Sequence, residues 1–291
     1  MNPSPEIFHQ HRARLMGIAY RMLGSRADAE DVLQEAYIRW LTIDEEGLRS
    51  AEAWLVTVVT RLSIDRLRLA KKEREQYIGQ WIPEPWVAED APPPEHALEL
   101  AGDISIAFLM MLERLAPDER AAFLLREVFE FGYPEIARAL GKSQDACRQI
   151  VHRAKVRIQE HRPRFEVSRE ASVRLLEKFI AATRAGDRTQ VMALLADDVA
   201  LTGDGGGKVP NISKVLRGRR GVTRFYCGIT RMFDDRLKHR IAMINGMPGI
   251  LRYLDGQLES AISMLTDGMR ILDIHIVRNP DKLRLIKMPP L

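Results

Sequence analysis

A run of polar residues recurs at helical spacing near the middle of the chain and could contact nucleic acid. Arginine, glutamine and histidine side chains bond base edges and phosphates, and a single α-helix fits the major groove of DNA. A serine at the start of the run could cap the helix. The residues are Ser143, Gln144, Arg148, Gln149, His152 and Arg153. Their chemistry predicts a helix face that binds DNA.

Two helices joined by a tight turn would position this face. Pro134 suits the first position of the earlier helix, and Gly141 supplies the left-handed residue that ends it. The second helix carries an apolar stripe opposite its polar face, formed by Ala146, Ile150, Val151, Ala154 and Ile158. The spacing predicts a helix-turn-helix over residues 133–158. An ordinary helical hairpin with a solvated charged face is the alternative.

Two earlier helices are predicted to carry opposite charges. A helix that starts near Ala27 has an acidic band opposite its apolar stripe, and because carboxylates repel DNA we expect this band to contact protein. The band comprises Asp28, Glu30, Asp31, Gln34 and Glu35. A long helix from about Ser50 to Glu75 becomes basic toward its end, and we expect that end to face nucleic acid.

Length and composition bound the class of protein. A chain of 291 residues suggests two or three folded units, and 46% apolar with 29% charged residues is ordinary for a globular protein. No stretch is long and apolar enough to span a bilayer, and the amino terminus lacks the apolar core of a signal peptide, so we expect a cytoplasmic protein with no membrane partner. Cys147 and Cys227 fit no disulfide framework or zinc spacing, and we expect neither a metal site nor a cofactor.

The order of these segments resembles the extracytoplasmic-function (ECF) sigma factors of bacterial RNA polymerase. The resemblance covers residues 6–160, through DAEDVLQEAYIRW, RLSIDRLR with a basic tail, and the carboxy-terminal helix-turn-helix. It implies that the acidic helix binds core RNA polymerase, that the basic helix recognises and opens the promoter minus-ten element, and that the helix-turn-helix residues given above read the minus-35 element. The implied minus-ten residues are Arg61, Ser63, Asp65, Arg66, Arg68, Lys71 and Lys72.

After Arg162 the sequence pattern changes. Helices are predicted at 169–183 and 187–195, and alternating apolar segments predict strands at 199–203, 239–245, 249–254, 257–266, 270–277 and 282–287. Asn-Gly, Asp-Gly and Asn-Pro pairs between the later segments indicate hairpins. Helices followed by an antiparallel sheet resemble the SnoaL-like branch of the nuclear transport factor 2-like cone fold, which one sigma-factor group carries as a fused extension.

The motifs of that group are present as WIPEP, DGGGK and NPDKL, with Ile82 where Leu is usual. We expect them to form a regulatory contact between domains. Their residues are Trp81, Pro83, Glu84, Pro85, Asp204, Gly205, Gly206, Gly207, Lys208, Asn279, Pro280, Asp281, Lys282 and Leu283. Lys and Arg outnumber Asp and Glu by 21 to 14 in residues 166–291 but fall short by 23 to 26 in residues 1–165, so opposite charges favour docking of the carboxy-terminal domain on the sigma domains.

The predicted fold class is two all-α sigma domains followed by an α+β cone. The predicted segments are region 2 at 1–75, a linker at 76–103, region 4 at 104–162 and the SnoaL-like domain at 163–291. Asp273 and His275 alternate onto one face of a predicted strand and could share a pocket, and Asp204 could act as a base, but a flexible glycine-rich loop positions a catalytic group poorly.

We therefore expect a transcription initiation factor that is not an enzyme. The alternative function is a helix-turn-helix transcriptional regulator whose carboxy-terminal domain senses a small molecule, because a cone pocket can bind a ligand without catalytic residues.

Overall fold

The computed structural model describes residues 4–43, 48, 50–87, 104–159 and 167–286. The chain divides into two compact units. One comprises Met1–Glu75, Ala91–Ile104 and Phe108–Arg162, and the other comprises Gln76–Asp90, Ser105–Ala107 and Pro163–Leu291. Residues 76–87, predicted as part of a linker, thus group with the carboxy-terminal unit, while Pro92, Pro93 and Pro94 of that linker lie outside the described residues.

Three helices form the amino-terminal part of the first unit. They are α1 (Pro5–Leu23), α2 (Arg26–Trp40) and α3 (Ala51–Glu75), and each packs on the other two. Gly24 ends α1 in the left-handed conformation, with φ of 65°, as its sequence position predicts. The shared core includes Leu15, Met22, Trp40 and Leu55, all buried. Their burial is the main stabilising contribution of this part.

The rest of the first unit is also helical. It contains most of α4 (Ile106–Leu112), and all of α5 (Pro117–Phe123), a π-helical turn (Leu124–Val128), α6 (Tyr133–Leu140) and α7 (Gln144–Gln159). The helix α5 continues directly into the π-helical turn.

Ion pairs and hydrogen bonds join the two helical parts of this unit. The Glu113 carboxylate accepts a hydrogen bond from Arg120 Nη1 at 2.8 Å and pairs with Arg74 of α3. Arg120 is almost fully buried and also donates to the carbonyl of Met22 at the end of α1. Breaking such a buried pair costs about 3–5 kcal/mol, so the cluster holds α1, α3 and α5 together.

The second unit is an α+β domain. Its helices are α8 (Arg169–Arg184), α9 (Arg188–Ala193), α10 (Arg219–Phe233) and α11 (Pro280–Leu283). Its strands are β1 (Leu195–Asp204), β2 (Leu216–Arg217), β3 (Leu237–Ile244), β4 (Met247–Leu254), β5 (Gln257–Thr266) and β6 (Ile271–Val277). The helix-then-sheet class predicted from the sequence is confirmed.

The six strands form one mixed sheet in the order β2-β1-β6-β5-β4-β3. Strands β1 and β6 run parallel and every other pair is antiparallel. The core lies between this sheet and the helices, with Leu176 and Phe179 of α8, Val222 of α10, and Ile262 and Ile274 of the sheet. The parallel pairing brings the carboxyl ends of β1 and β6 together, which positions the cluster described below.

The predicted hairpins are observed at three turns, one of them at Asp267-Gly268 between the antiparallel strands β5 and β6. Asn245-Gly246 and Asp255-Gly256 have positive φ at both residues, as the tight turns after β3 and β4 require. The predicted Asn279-Pro280 hairpin and the strand over 282–287 are wrong. Asn279 instead caps the one-turn helix α11, with its side chain accepting from the Asp281 amide and Pro280 at the first helical position.

The helix α10 and the short strand β2 were not predicted. Val222 and Tyr226 of α10 are buried four residues apart and would have revealed its apolar face. Within the described residues no helix is long and apolar enough to cross a membrane.

Candidate functional site

The polar face of α7 is open to solvent. Gln144, Arg148, Gln149, His152 and Arg153 are all exposed, and the stripe predicted opposite them is buried at Ile150, Val151, Ala154 and Ile158. Apart from Arg148, these side chains have no hydrogen-bond or ion-pair partner among the described residues. A row of unengaged donors and acceptors on one helix face can bond phosphates and base edges without first breaking internal contacts.

The turn before α7 has the geometry that its sequence predicts. Gly141 ends α6 in the left-handed conformation, with φ of 63°, and Ser143 Oγ accepts from the Ala146 amide at 3.2 Å. Arg148 pairs with Asp145 and lies over the ring of Tyr133, 5.1 Å from its centroid. These contacts set the start of α7 against α6 and orient the first residues of the exposed face.

The acidic band of α2 is exposed at three of its five predicted residues. Asp31, Gln34 and Glu35 lie at the surface, and Asp31 and Gln34 have no side-chain partner in the described part of the chain. Ile38, one turn beyond Gln34, is 58% exposed. This face of α2 thus presents carboxylates, an amide and one apolar side chain to solvent.

The other two members of the band are engaged within the first unit. Asp28 accepts two hydrogen bonds from Arg66 of α3, at 2.7 and 2.9 Å, and Glu30 pairs with Arg12 at 2.6 Å. Asp28 and Arg66, predicted to contact protein and DNA respectively, thus bind each other. Their pairing fixes α2 against α3.

The basic end of α3 is only partly available. Arg61 donates to the carbonyls of Arg138 and Ala139 at the end of α6, at 2.7 and 2.9 Å. These carbonyls have no partner inside their own helix, so the guanidinium satisfies them. Arg68 pairs with Asp65 and with Asp118, both at 3.1 Å, whereas Lys71 is exposed.

One predicted minus-ten residue is wrong. Ser63 is completely buried on the stripe of α3 that also contains Ile64, Leu67 and Ala70, so it cannot reach DNA. Asp65 is exposed, but its carboxylate forms an ion pair with Arg68. The side chain of Lys72 lies outside the described residues.

In the second unit, four donors converge on the carboxylate of Asp204. Its Oδ1 accepts from the Tyr77 hydroxyl at 2.5 Å and the Gly206 amide at 3.0 Å. Its Oδ2 accepts from the Ile82 amide at 3.0 Å and Lys282 Nζ at 2.7 Å. We call these residues, together with Asn279, the Asp204 cluster. It brings together the three motifs predicted from sequence.

Asp204 is positioned by a strand rather than a flexible loop. It is the last residue of β1 and fully buried, and its carbonyl accepts from the Arg278 and Asn279 amides that follow β6. The expectation that a glycine-rich loop would hold it loosely is therefore wrong. The glycines follow it, and Gly206, with φ of 61°, lies so close to the Asn279 side chain that a Cβ would clash.

The segment 77–87 packs along this cluster. Lys282 also donates to the Ile82 carbonyl and lies 4.2 Å from the ring centroid of Trp81. The Trp86 amide donates to the Asn245 side chain at 2.9 Å. The segment's central residues, Ile82, Pro83, Glu84 and Pro85, are buried. WIPEPW is thus a docked strand-like segment of the second unit.

The remaining motif residues lie at the surface or complete α11. Lys208 and Asp281 form an ion pair at 2.6 Å, with 54% and 55% of their side chains exposed. Leu283 is buried beneath α11, and Gly205 lies tightly against the Val209 carbonyl. Gly207 and Pro280 are exposed, although a Cβ on Gly207 would meet the side chain of Ile78.

Electrostatics keep the Tyr77 hydroxyl protonated as a donor. Partial burial and the neighbouring Asp204 carboxylate raise the pKa of Tyr77 above its ordinary value. The hydroxyl also accepts from Asn279 Nδ2 at 2.9 Å. Tyr77 was not singled out from the sequence, because it lies 127 positions from Asp204 and no local pattern links the two.

Asp273 and His275 do share one face of β6, as strand alternation predicts. The nearest His275 Nε2 and Asp273 Oδ2 atoms are 3.8 Å apart. Burial lowers the pKa of His275 and raises the pKa of Asp273. The His275 side chain is only 5% exposed, whereas 33% of the Asp273 side chain is exposed.

The sequence matches two family models in the order that the fold presents them. The Sigma-70 region 2 model matches residues 7–73, and the Sigma-70, region 4 model matches residues 105–158. The first match spans α1 to α3, and the second spans α4 to α7. The exposed faces described above therefore belong to matched regions.

Relatives extend over almost the whole chain. The ECF RNA polymerase sigma factor SigJ of Mycobacterium tuberculosis is 36% identical over 94% of this chain and 91% of its own. A probable ECF RNA polymerase sigma factor of the same organism, SigI, is 28% identical over 97% of this chain and 95% of its own. The crystal structure of SigJ superposes with a TM-score of 0.78 at 35% identity and covers 96% of this chain and 97% of that one. The chain belongs to the ECF RNA polymerase sigma factors, which are transcription initiation factors.

Proposed function

We propose that this sigma factor binds core RNA polymerase through the exposed residues of α2 and reads the promoter minus-35 element through α7. The proposal is carried by the exposed face of α7, where Gln144, Gln149, His152 and Arg153 have no partners among the described residues. DNA recognition requires such donors at a helix surface, and phosphate contacts require cations. Both are present on α7.

The minus-ten element is contacted by the basic end of α3. Capture of unstacked bases needs a cationic surface along the strand backbone, and Lys71 is available for this role. Arg61 and Arg66 become available only if their bonds to α6 and to Asp28 open. A role for Arg61 or Arg66 in promoter opening therefore requires a rearrangement within the first unit.

The polymerase contact is tested by reversing one charge. Replacing Asp31→Lys places a cation at the centre of the exposed band, and like-charge contact should weaken binding to core RNA polymerase by about tenfold or more. The measurement is the affinity of labelled protein for purified core enzyme. Glu130→Lys, an exposed acid of the same unit outside the band, is the matched control. Equal affinity of both variants would exclude the α2 surface.

The second unit regulates the sigma domains by holding the segment 77–87. Support comes from the Asp204 cluster, because this segment leads from the region 2 match toward the region 4 match and is bonded at Tyr77, Ile82 and Trp86. The opposite charge of the sequence halves supports docking of the second unit on the first. A segment released from the cluster would change how the two regions are connected.

Transcription from a cognate promoter tests this regulation. Lys282→Met breaks the cluster, and a chain that stops after residue 165 lacks the second unit, so both should alter promoter-specific output relative to the full chain. Lys208→Met removes an exposed ion pair only and serves as the control. Unchanged output from both the broken cluster and the shortened chain rules the regulatory role out.

We also propose that the protein has no enzymatic activity. His275 and Asp273 are the acid–base candidates, yet they do not line the cavity beside α10 in the second unit. With His275 buried and 3.8 Å from its partner, the pair lacks both substrate access and a close hydrogen bond. Sigma activity itself requires no hydrolytic chemistry.

A further inference from the structure

The second unit encloses a cavity of about 430 Å³ between α10 and the sheet. Most of its wall is apolar, which suits a hydrocarbon or aromatic group. The apolar lining includes Ile212, Phe225, Ile229, Phe233, Leu254 and Ile276. None of the residues of the Asp204 cluster lines the cavity, so the cavity is separate from the proposed regulatory contact.

A charged network lies in this otherwise apolar wall. Glu259 Oε2 accepts from Arg252 Nε at 2.9 Å and lies 2.8 Å from Arg252 Nη2. Glu259 Oε1 lies 2.5 Å from Arg278 Nε in an ion pair, and Arg278 Nη1 donates to the Pro210 carbonyl. Although burial opposes ionisation, Arg252 and Arg278 lower the pKa of Glu259, so the carboxylate stays charged at neutral pH.

The network is not neutral. Two guanidinium groups share one carboxylate, and these three are the charged residues that line the cavity. The Arg252 and Glu259 side chains are only 4% and 13% exposed and the Arg278 side chain is 25% exposed, so the excess positive charge is only partly solvated. An uncompensated buried charge is unfavourable, and an anion beside it would restore neutrality.

Two further polar groups beside the network are unsatisfied. Asn211 lines the cavity, and its buried Nδ2 has no hydrogen-bond partner in the described residues. The Tyr226 hydroxyl, near Arg252 and Glu259, is also buried without a partner there. Buried donors are normally bonded, so the Asn211 amide, which lines the cavity, could donate to an acceptor bound there, whereas Tyr226 does not line the cavity.

We propose that this cavity binds a small organic monoanion, a carboxylate carried on an apolar body, with Arg278 and Arg252 holding the carboxylate. A guanidinium fits a carboxylate in planar two-point geometry, and one negative charge balances the network. A neutral apolar molecule would leave the charge unbalanced, and a cation would add to it. The site does not depend on the sigma activity proposed above.

Calorimetric titration of the full chain tests the proposal with decanoate, decanol and decylamine, each below its micelle-forming concentration. Decanoate should bind about tenfold or more tightly than decanol, because only decanoate makes charge-assisted hydrogen bonds. Decylamine should not bind. Equal binding of decanoate and decanol, or binding of none of the three, would overturn the proposal.

Two variants separate the charged end from the apolar wall. Arg278→Gln leaves the Arg252–Glu259 pair neutral, so the preference for decanoate over decanol should disappear. Ile229→Trp fills the cavity and should abolish binding of both. Arg236→Gln, which removes an exposed arginine paired with Asp255 outside the cavity, is the control and should bind decanoate as the unmodified chain does. An unchanged decanoate preference in folded Arg278→Gln protein, verified by circular dichroism, contradicts the assignment.

Discussion

At the scale of single residues, two lysines of neighbouring motifs have opposite environments. Lys282 pairs with Asp204, and these side chains are 12% and 0% exposed. Lys208 pairs with Asp281, and both are more than half exposed. In sequence the two ion pairs look alike, since each joins the DGGGK motif to the NPDKL motif. Burial alone determines which pair stabilises the domain.

Replacing Lys282→Met should therefore destabilise the second unit by about 3 kcal/mol, because it removes one partner of a buried ion pair. Replacing Lys208→Met should cost less than about 1 kcal/mol. Amide hydrogen exchange of core strands β1 and β6 measures the free energy of opening for this unit alone. If both variants lowered the free energy of opening equally, the Asp204 cluster would not be a stabilising feature.

The limits of sequence-based prediction are clearest at Asp204. Its motif was recognised, but its neighbours suggested a flexible loop, because the sequence does not reveal that β1 continues to residue 204 beside β6. The contacts from Tyr77 and Ile82 span more than 120 positions. Such contacts depend on strand pairing across the whole domain, which local periodicity does not encode.

At the scale of elements, α7 was the most predictable. Its cap, apolar stripe and exposed face all follow from residues within one helix and turn. The face of α3 was harder to predict, because charge identifies basic residues but not their partners. Arg61 bonds the end of α6, and Ser63 lies on the buried stripe. Packing between helices, rather than propensity, decides which polar residues of α3 remain available.

Two arginines of α7 test the proposed DNA-binding face. Arg153→Ala should weaken minus-35 recognition by about tenfold, since a base-contacting arginine contributes roughly 1–3 kcal/mol. Arg157→Ala removes an arginine that bonds Glu119 of α5 and should have little effect. The measurement is the affinity of the polymerase complex for promoter DNA with intact or altered minus-35 elements. If both variants lost affinity to a similar extent, on intact and altered DNA alike, the exposed face of α7 would not be the surface that recognises the minus-35 element.

At the scale of the whole molecule, the chain combines matched sigma regions with an α+β unit that holds the segment 77–87. Family membership explains the first unit, and the relatives matched over nearly the full length extend the likeness to the second. Arg278 connects two features of the second unit. Its backbone amide bonds the Asp204 carbonyl, and its side chain lines the cavity. The Asp204 cluster and the cavity are therefore adjacent along β6.

Reconstituted initiation is the most direct test of the central claim that α2 and α7 direct polymerase to promoters. Full-length protein is added to purified core RNA polymerase and a library of promoter DNA, and transcript start sites are sequenced. We predict starts from a defined promoter set that are lost with Asp31→Lys and reduced with Arg153→Ala. Specific DNA binding without polymerase, combined with no new start sites in its presence, would contradict the account and favour a conventional helix-turn-helix regulator.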